Sequence, residues 1–191
     1  CLEIEDWQCF QNYGTFQGNG TTCCPNLCPQ GGSPGWGDGL EDYASGTLLY
    51  NVGGWTGWDG QEYAAGTVSA AQAHTGVHSI AVNDTSDAIH PFSPVYDGGQ
   101  WIITAWQYLP STLDSLSYLT VQSYYQHYGP YYFTVELHFT PGQGLYDALR
   151  DPSGASALPL IYDQWVEIRI EVDFEAGWRG TLHEYYNNQL V

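Results

Sequence analysis

A stretch near the C-terminal end, residues 165–174, alternates strictly between apolar and charged side chains. The apolar positions on one side are Val166, Ile168, Ile170, Val172 and Phe174. The charged positions on the other side are Glu167, Arg169, Glu171 and Asp173, with Glu175 next in the series. This period of two is typical of an antiparallel strand with one buried face. A helix would scatter the charged residues around its circumference, so the pattern excludes a helix.

Short strand candidates, separated by turns that contain Gly and Asp, continue along most of the chain. They are predicted at 47–52, 67–71, 78–82, 88–92, 101–109, 117–125, 131–140, 165–174 and 181–186. Helical periodicity is nearly absent, and only residues 109–116 are a candidate for a helical turn. Many short strands at regular spacing predict an all-β fold, an antiparallel two-sheet sandwich. We expect it to form one domain over residues 37–191.

Residues 1–36 differ in composition from the rest and contain all five cysteines: Cys1, Cys9, Cys23, Cys24 and Cys28. We expect an irregular arm held by disulfides, because a short Gly- and Pro-rich segment cannot bury enough surface to hold itself. Disulfides in turn predict an extracellular or cell-surface protein. The pairing cannot be deduced from the spacing. The alternative is a zinc site using Cys9, Cys23 or Cys24, and Cys28, although these spacings match no zinc ribbon or knuckle.

The charge of the chain excludes several classes of partner. The formal net charge is −18, and the only basic residues are Arg150, Arg169 and Arg179. Phosphate groups are bound by Lys and Arg, so nucleic acids and anionic membrane surfaces are excluded as partners. No apolar run approaches the ~20 residues of a membrane-spanning helix, so we predict no membrane span. The excess of carboxylates does suit divalent cations.

Two regions of the sequence resemble a known superfamily. The closing region reads WVEIRIEVDF, then a Gly-containing loop and HEYYNNQLV, and it resembles the end of a laminin G-like jelly roll. The opening region reads GLEDYASGTLLYNVGGWTGWDG and AHTGVHSIAV, and it resembles the start of carbohydrate-binding jelly rolls. Both kinds of module belong to the concanavalin A-like lectin/glucanase superfamily, and the resemblance covers about residues 38–191. It implies a β-jelly roll, a fold that carries many different functions.

The resemblance also implies a bound calcium ion. Jelly-roll carbohydrate modules often hold a structural Ca²⁺ beside the opening acidic pair, and Glu41 and Asp42 match that position. Further oxygen ligands would come from Asp38, Asp84, Asp87 and Asp173. The alternative is that all of these carboxylates are solvated turn residues of a very acidic chain.

The acidic row Glu171, Asp173 and Glu175 resembles the E-x-D-x-E strand motif of lichenase- and laminarinase-type glucanases. That resemblance implies Glu171 as nucleophile, Glu175 as acid/base and Asp173 as the helper between them. Retaining hydrolysis needs two carboxyl groups ~5–5.5 Å apart. Residues i and i+4 of a flat strand lie ~13 Å apart, so a sharp twist or bulge would be required. We therefore predict that the row is not catalytic and that the protein is not an enzyme.

Aromatic and polar side chains alternate with apolar ones along the strands predicted at 101–109, 117–125 and 131–140. If these strands lie beside 165–174, one sheet face presents Trp106, Tyr108, Tyr118, Tyr124, Tyr132, Glu136 and His138. Sugar rings stack on such aromatic faces, so we predict a carbohydrate-binding surface there. The alternative is the ordinary polar outer face of a sandwich. Asn19 and Asn83 each begin a glycosylation sequon.

These observations leave three functions open. We expect a non-catalytic extracellular structural subunit that assembles with itself into a surface fibre or layer through its N-terminal arm, associated with glycan. The odd cysteine would then serve as an intermolecular bridge; it could equally be a free thiol, or Cys1 could be lipidated. The first alternative is a monomeric carbohydrate-binding module that recognises a polysaccharide. The second is a glucanase that uses the E-x-D-x-E strand.

Overall fold

A computed structural model describes residues 35–92, 98–177 and 180–191. The predictions for the five cysteines, for Asn19 and for most of the N-terminal arm lie outside these residues. In the described residues the regular structure is almost entirely β, with every strand pair antiparallel. This confirms the all-β prediction. No helix among the described residues has the length and apolar character that crossing a membrane requires.

The strands, numbered in chain order, are β1 (Thr56–Gly57), β2 (Thr67–Ser69), β3 (Ser79–Ala81), β4 (Ala88–Ile89), β5 (Gln100–Tyr108), β6 (Ser117–Tyr125), β7 (Tyr131–Thr140), β8 (Gly144–Asp147), β9 (Trp165–Asp173), β10 (Thr181–Tyr186) and β11 (Gln189–Leu190). Two single-turn 3-10 helices, Trp58–Gly60 and Glu62–Ala64, follow β1. The long strands β5, β6, β7 and β9 fall where their alternating patterns predict them.

The chain forms two compact units that alternate along the sequence. The described part of the first unit consists of residues 35–48 and Thr67–Ala81, and it contains the β2–β3 pair. The second unit consists of Leu49–Gly66 and the described residues from Val82 onward. It holds a four-stranded sheet of order β11-β10-β9-β5 and a three-stranded sheet of order β6-β7-β8. The short strands β1 and β4 form a separate pair in this unit.

The two larger sheets of the second unit share one hydrophobic core. Its most deeply buried members come from both sheets: Val135, Leu137, Phe139 and Leu145 from one, and Val166, Ile168, Ile170 and Tyr186 from the other. Burying one such side chain contributes about 1.5–3 kcal/mol. Phe139 meets Tyr186 across the core, with ring centroids 6.0 Å apart in an edge-to-face arrangement. The arrangement is therefore sandwich-like, and the apolar face of β9 lies in its core as predicted.

Three details of the predicted secondary structure are wrong. Residues 47–52 form isolated bridges and no strand, because Asn51 has a positive φ angle of 55° that an extended chain cannot adopt. The candidate helical turn at 109–116 is one hydrogen-bonded turn without a helix. Strand β9 ends at Asp173, so Phe174 lies in the following turn with 46% of its surface exposed.

Candidate functional site

The seven residues predicted to form one carbohydrate-binding face lie on two sheets. Trp106 and Tyr108 lie on β5, opposite Glu167 and Trp165 of β9. The others lie on β6 and β7, and they are Tyr118, Tyr124, Tyr132, Glu136 and His138. The expectation that all of these strands lie beside β9 is wrong, because β9 pairs with β5 and β10 while β6 and β7 belong to the other sheet. Strand pairing is a long-range property that alternation within each strand does not specify.

Two β-bulges in the β6–β7 pair change which face of the sheet the residues beyond Val121 occupy. The register passes from Val121↔Val135 to Gln122↔Phe133 and then to Tyr124↔Tyr132, which leaves Thr134 and Ser123 without a partner. An extra residue in one strand shifts its alternation by one position. Because neighbouring residues of a strand point to opposite faces, the Tyr124–Tyr132 pair and the adjacent Tyr125–Tyr131 pair lie on opposite faces.

The structure forms a cleft of about 560 Å³ that begins at the 3-10 helix after β1 and includes the turn before β4. Four aromatic rings and three carboxylates are among its lining groups: Trp58, Tyr63, Tyr118, Tyr128, Asp59, Asp84 and Asp87. Tyr118 was predicted as a sugar contact, and Asp84 and Asp87 as calcium ligands. The cleft brings these three residues together in one site.

Asp59 organises the cleft through hydrogen bonds to distant parts of the chain. Its two carboxylate oxygens share the single Tyr131 hydroxyl proton at O–O distances of 2.6 and 2.8 Å, and one also accepts the Tyr128 N–H at 2.7 Å. Its own N–H donates to the Tyr125 hydroxyl at 2.7 Å. Burial by itself would raise the pKa of Asp59, but the bonds from Tyr131 and Tyr128 outweigh it and lower that pKa. Asp59 is therefore an ionised group whose oxygens already have protein donors.

Trp58 fixes the cleft against the three-stranded sheet. Its ring lies 4.6 Å from Tyr131, 5.3 Å from Tyr125 and 6.3 Å from Phe133, measured between centroids. The Phe133 ring is nearly parallel to it, at 9°. The Trp58 N–H also donates to the Asp87 carbonyl oxygen at 2.9 Å, which ties the two cleft-lining segments together. Offset aromatic packing of this kind holds a turn firmly on a sheet.

Asp87 is the second fixed carboxylate of the cleft. Its Oδ2 accepts a 2.8 Å hydrogen bond from the Tyr118 hydroxyl. Burial raises the pKa of Asp87, and the negative charge of Asp59 adds to the increase although the Tyr118 bond opposes it. Burial and the bond to Asp87 raise the pKa of Tyr118 to about 12. The environment therefore favours the ionised form of Asp59 and disfavours that of Asp87.

Two tyrosine rings at the cleft are well exposed, and hydrogen bonds hold one of them, Tyr128, in place. Tyr63 is 73% and Tyr128 is 76% exposed. Tyr128 is fixed at both ends, because its N–H donates to Asp59 and its hydroxyl accepts a 2.9 Å bond from Gln61 Nε2. Gln61 Nε2 also reaches the Asp59 carbonyl oxygen at 3.2 Å. A ring that is exposed and already positioned loses little conformational freedom when a ligand stacks on it.

The residues predicted to bind calcium have varied surroundings. Asp38 accepts a backbone N–H at 2.7 Å and a tyrosine hydroxyl at 3.1 Å, and Glu41 Oε1 accepts two backbone N–H groups at 3.0 Å. Asp173 Oδ1 accepts two backbone N–H groups of the turn after β9. Asp42 and Asp84 are exposed. Among the described residues, no three His, Cys, Asp or Glu side chains are grouped to hold a metal ion. Calcium binding stays a prediction.

The three carboxylates of the acidic row at the end of β9 do not form one group, because Glu171 and Asp173 each bond to a different neighbour. Glu171 Oε1 accepts a 3.0 Å bond from Arg169 Nε, and Asp173 Oδ2 accepts a 2.9 Å bond from Gln100. Glu175 lies beyond the strand, in the turn that Asp173 caps.

Asn83, which begins one of the two predicted glycosylation sequons, is exposed, and its carbonyl oxygen accepts the Ser86 N–H at 2.8 Å in the turn that lines the cleft.

Trp58, Asp59, Gln61, Tyr63 and Tyr128 were not predicted as site residues. One local signal was present in the G-W-D-G run at residues 57–60. A Cβ atom at Gly57 would collide with the backbone of Gln61, Ala64 and Ala65, in and beside the second 3-10 helix, so only glycine fits there. A Trp-Asp pair between such glycines indicates a tight turn with two functional side chains.

The chain matches no known protein family, no curated protein and no solved structure in the three comparisons made. The resemblance to concanavalin A-like lectins and glucanases therefore stays a prediction. The function has to be argued from the cleft itself.

Proposed function

We propose that this protein is a non-catalytic carbohydrate-binding protein and that its ligand occupies the cleft around Asp59. One observation carries the proposal: two exposed tyrosine rings, Tyr63 and Tyr128, stand at a cleft that is also lined by Asp59 and Asp87. Sugar rings stack on aromatic faces while a few fixed polar groups bind their hydroxyls. The cleft volume of about 560 Å³ lies within the range of about 300–1,000 Å³ for ligand sites.

The hydrogen bonds of the acidic residues favour binding over hydrolysis. A glycosidase needs one carboxylate that is free to attack the sugar or to activate water. The two oxygens of Asp59 share the Tyr131 hydroxyl proton, and one of them also accepts the Tyr128 N–H. Glu171 is paired with Arg169. Asp59 and Glu171 therefore serve as fixed acceptors and structural groups in the proposed function, which leaves Asp84 and one oxygen of Asp87 to meet a ligand.

We place this activity outside the cell, on a jelly roll of the concanavalin A-like type. The cysteine-rich composition of residues 1–36 supports the compartment, because disulfides persist in oxidising surroundings. The sandwich-like pair of sheets and the sequence resemblance support the fold. Neither argument depends on the identity of the sugar.

The test is calorimetric titration of the protein with a panel of neutral and charged oligosaccharides. Tyr63→Ala should weaken binding by about tenfold, because a stacked aromatic contact contributes about 0.5–1.5 kcal/mol beyond the area it buries. Tyr132→Ala is the matched control, since Tyr132 is also exposed, at 59%, but does not line the cleft. Equal affinities of the two variants, or no binding of any sugar, would refute the proposed site.

Self-assembly is a second candidate function, and the edges of the two large sheets favour it. The nine-residue strand β5 pairs with β9 along one edge, and in the described part of the chain nothing pairs with its other edge. The nine-residue strand β6 is likewise an edge strand of its sheet. Unpaired backbone N–H and C=O groups accept a strand from another molecule. We propose that another copy of the chain, through its N-terminal arm, supplies that strand.

Sedimentation velocity and electron microscopy of the full chain test this assembly. Ile102 on β5 is 62% exposed, and a lysine there should disfavour pairing, as charged residues do on natural edge strands. Ile102→Lys should therefore shift the protein towards monomer. Val77→Lys is the control, because Val77 is 60% exposed but lies outside the strands. A wild-type chain that stays monomeric at high concentration refutes assembly.

A further inference from the structure

The charge of the cleft restricts which sugars it can accept. Three aspartates line it, and no arginine or lysine does so among the described residues. The chain has no lysine at all. Arg150 lies against carboxylates of β8 and β10, and Arg169 pairs with carboxylates of its own strand β9. A sulfated or uronic-acid sugar would thus meet three carboxylates and no arginine or lysine among the described lining residues.

Two of the cleft carboxylates offer hydrogen-bond acceptors that the protein leaves unused. Asp87 Oδ2 is bonded to Tyr118, but no donor among the described residues reaches Asp87 Oδ1. Asp84 is exposed, and its carboxylate accepts no hydrogen bond in the described part of the chain. The two residues lie in one turn, closed by the bond from the Ser86 N–H to the Asn83 carbonyl oxygen. A carboxylate accepts several donors, so a ligand that carries donors would complete both groups.

The aromatic rings of the cleft favour the same kind of ligand. A cation near the face of a Trp or Tyr ring gains about 0.5–1 kcal/mol at an exposed site. Tyr63 and Tyr128 present such rings, and Trp58 lines the same cleft. A protonated amine carries three N–H donors and one positive charge, whereas a hydroxyl carries one donor and no charge. The amine therefore matches both the rings and the unused carboxylate oxygens.

We propose that the cleft selects glycans that carry a protonated amine, of which glucosamine oligomers are the simplest example. This inference rests on the proposed carbohydrate-binding function and specifies its ligand. The ammonium group would lie against the exposed Asp84 carboxylate with Asp87 Oδ1 as a further hydrogen-bond acceptor, and the sugar rings would stack on the exposed tyrosines. Neutral sugars would bind through stacking alone, and acidic sugars would be rejected.

The decisive experiment compares three tetrasaccharides with the same linkage that differ only at the second carbon. They are tetramers of glucose, of N-acetylglucosamine and of glucosamine, titrated into the full-length protein by calorimetry. The glucosamine tetramer should bind about tenfold more tightly than the other two, the combined effect expected of one cation–ring contact and one exposed ion pair. Added salt should weaken the binding of this tetramer and leave that of the glucose tetramer unchanged.

A pair of charge-matched variants separates a specific site from attraction to an acidic protein. Asp84→Asn should lower the affinity for the glucosamine tetramer by about threefold, the effect of losing one exposed ion pair. Asp114→Asn removes the same charge from an exposed position outside the cleft, so it should leave the affinity unchanged. Tryptophan fluorescence gives a second readout, because Trp58 lines the cleft.

The outcomes distinguish this inference from the proposed function. If the glucose tetramer binds at least as tightly as the glucosamine tetramer, and Tyr63→Ala weakens it, the amine preference is wrong while carbohydrate binding stands. If Asp84→Asn and Asp114→Asn lower the affinity equally, the attraction is non-specific and the amine site is refuted. If no tetramer binds, both proposals fail.

Discussion

Replacing Arg150 with alanine should destabilise the protein more than any other single loss of positive charge described in the structure. Arg150 Nη1 donates to Asp147 Oδ2 and, at 2.7 Å, to Glu184 Oε1. Both carboxylates are only 4% exposed. Asp147 lies on β8 and Glu184 on β10, which belong to different sheets. A single guanidinium thus links the two sheets and compensates two buried negative charges.

The magnitude follows from the two charges left behind. Removing one partner of a buried ion pair costs about 3–5 kcal/mol, because the other charge stays in the interior without compensation. The Arg150 side chain is 49% exposed, so water screens part of this interaction. We expect Arg150→Ala to lower the free energy of unfolding by about 2–4 kcal/mol at pH 7. For a chain of this size that corresponds to a Tm lower by about 5–15 °C.

The pH dependence of this loss has a definite sign. Burial already raises the pKa of Glu184, and Arg150 opposes that increase, so removing Arg150 should raise the pKa further. A carboxyl group whose folded pKa lies above its unfolded value of about 4.3 contributes stability below the unfolded value and loses it as the pH rises through the folded pKa. The difference in stability between wild type and Arg150→Ala should therefore shrink as the pH falls from 7 towards about 5.

Arg169→Ala is the matched control for urea denaturation across this pH range. Arg169 lies on the polar face of β9, beside Glu167 and Glu171 and over the Tyr185 ring. These two carboxylates are 23% and 38% exposed, so water reaches them far more than it reaches Asp147 and Glu184, and we expect their pairs to contribute about 0.2–1 kcal/mol. Both variants remove one positive charge from the protein. If Arg150→Ala costs no more than Arg169→Ala, or if its cost does not change with pH, Arg150 does not compensate the buried carboxylates.

Two further predictions concern Asp59 and calcium. Burial and the hydrogen bond to Asp59 raise the pKa of Tyr131 to about 12, so Asp59→Asn should move that pKa back towards 10 in an ultraviolet titration; an unchanged titration would show that the pair does not form. If Ca²⁺ binds through Glu41 and Asp42, as the resemblance implies, saturation at 100 times its Kd adds about 2.7 kcal/mol. Chelation should then lower the Tm by about 5–10 °C, and an unchanged Tm would leave no calcium site there.

The elements that sequence could predict are those whose pattern is local. The apolar and charged residues of β9 alternate without interruption, and the structure buries Val166, Ile168 and Ile170 as that pattern requires. The strands at 117–125 and 131–140 likewise have the predicted bounds. Alternation alone gave the wrong sheet face for residues of β6 and β7 beyond Val121. The bulges at Ser123 and Thr134 could not be foreseen, because small polar side chains fit either face of a sheet.

The cleft could not be predicted because its parts are far apart in sequence. Asp59 bonds to Tyr125 and Tyr131 across 66 and 72 residues. Nothing in the local pattern of residues 57–60 indicates that these tyrosines supply the partners. The choice of pairing partner for each strand is equally non-local, and it places Trp106 and Tyr118 on different sheets.

The exposed tyrosines of the cleft allow function to be separated from stability. Tyr132, on β7, is also exposed, but its ring packs against Tyr124 of β6 with centroids 5.7 Å apart. Part of its surface therefore stabilises the fold. Tyr63 has 73% of its surface exposed. Substitutions of such exposed side chains change stability by about 0.5 kcal/mol or less. The Gly57 turn, Trp58 and the Asp59 hydrogen bonds nevertheless hold the 3-10 helices that carry Tyr63 in place. Because Tyr63 lines the cleft and contributes little to the fold, its substitution tests binding with little effect on stability, and this is why Tyr63 is the residue on which the proposed function should be judged.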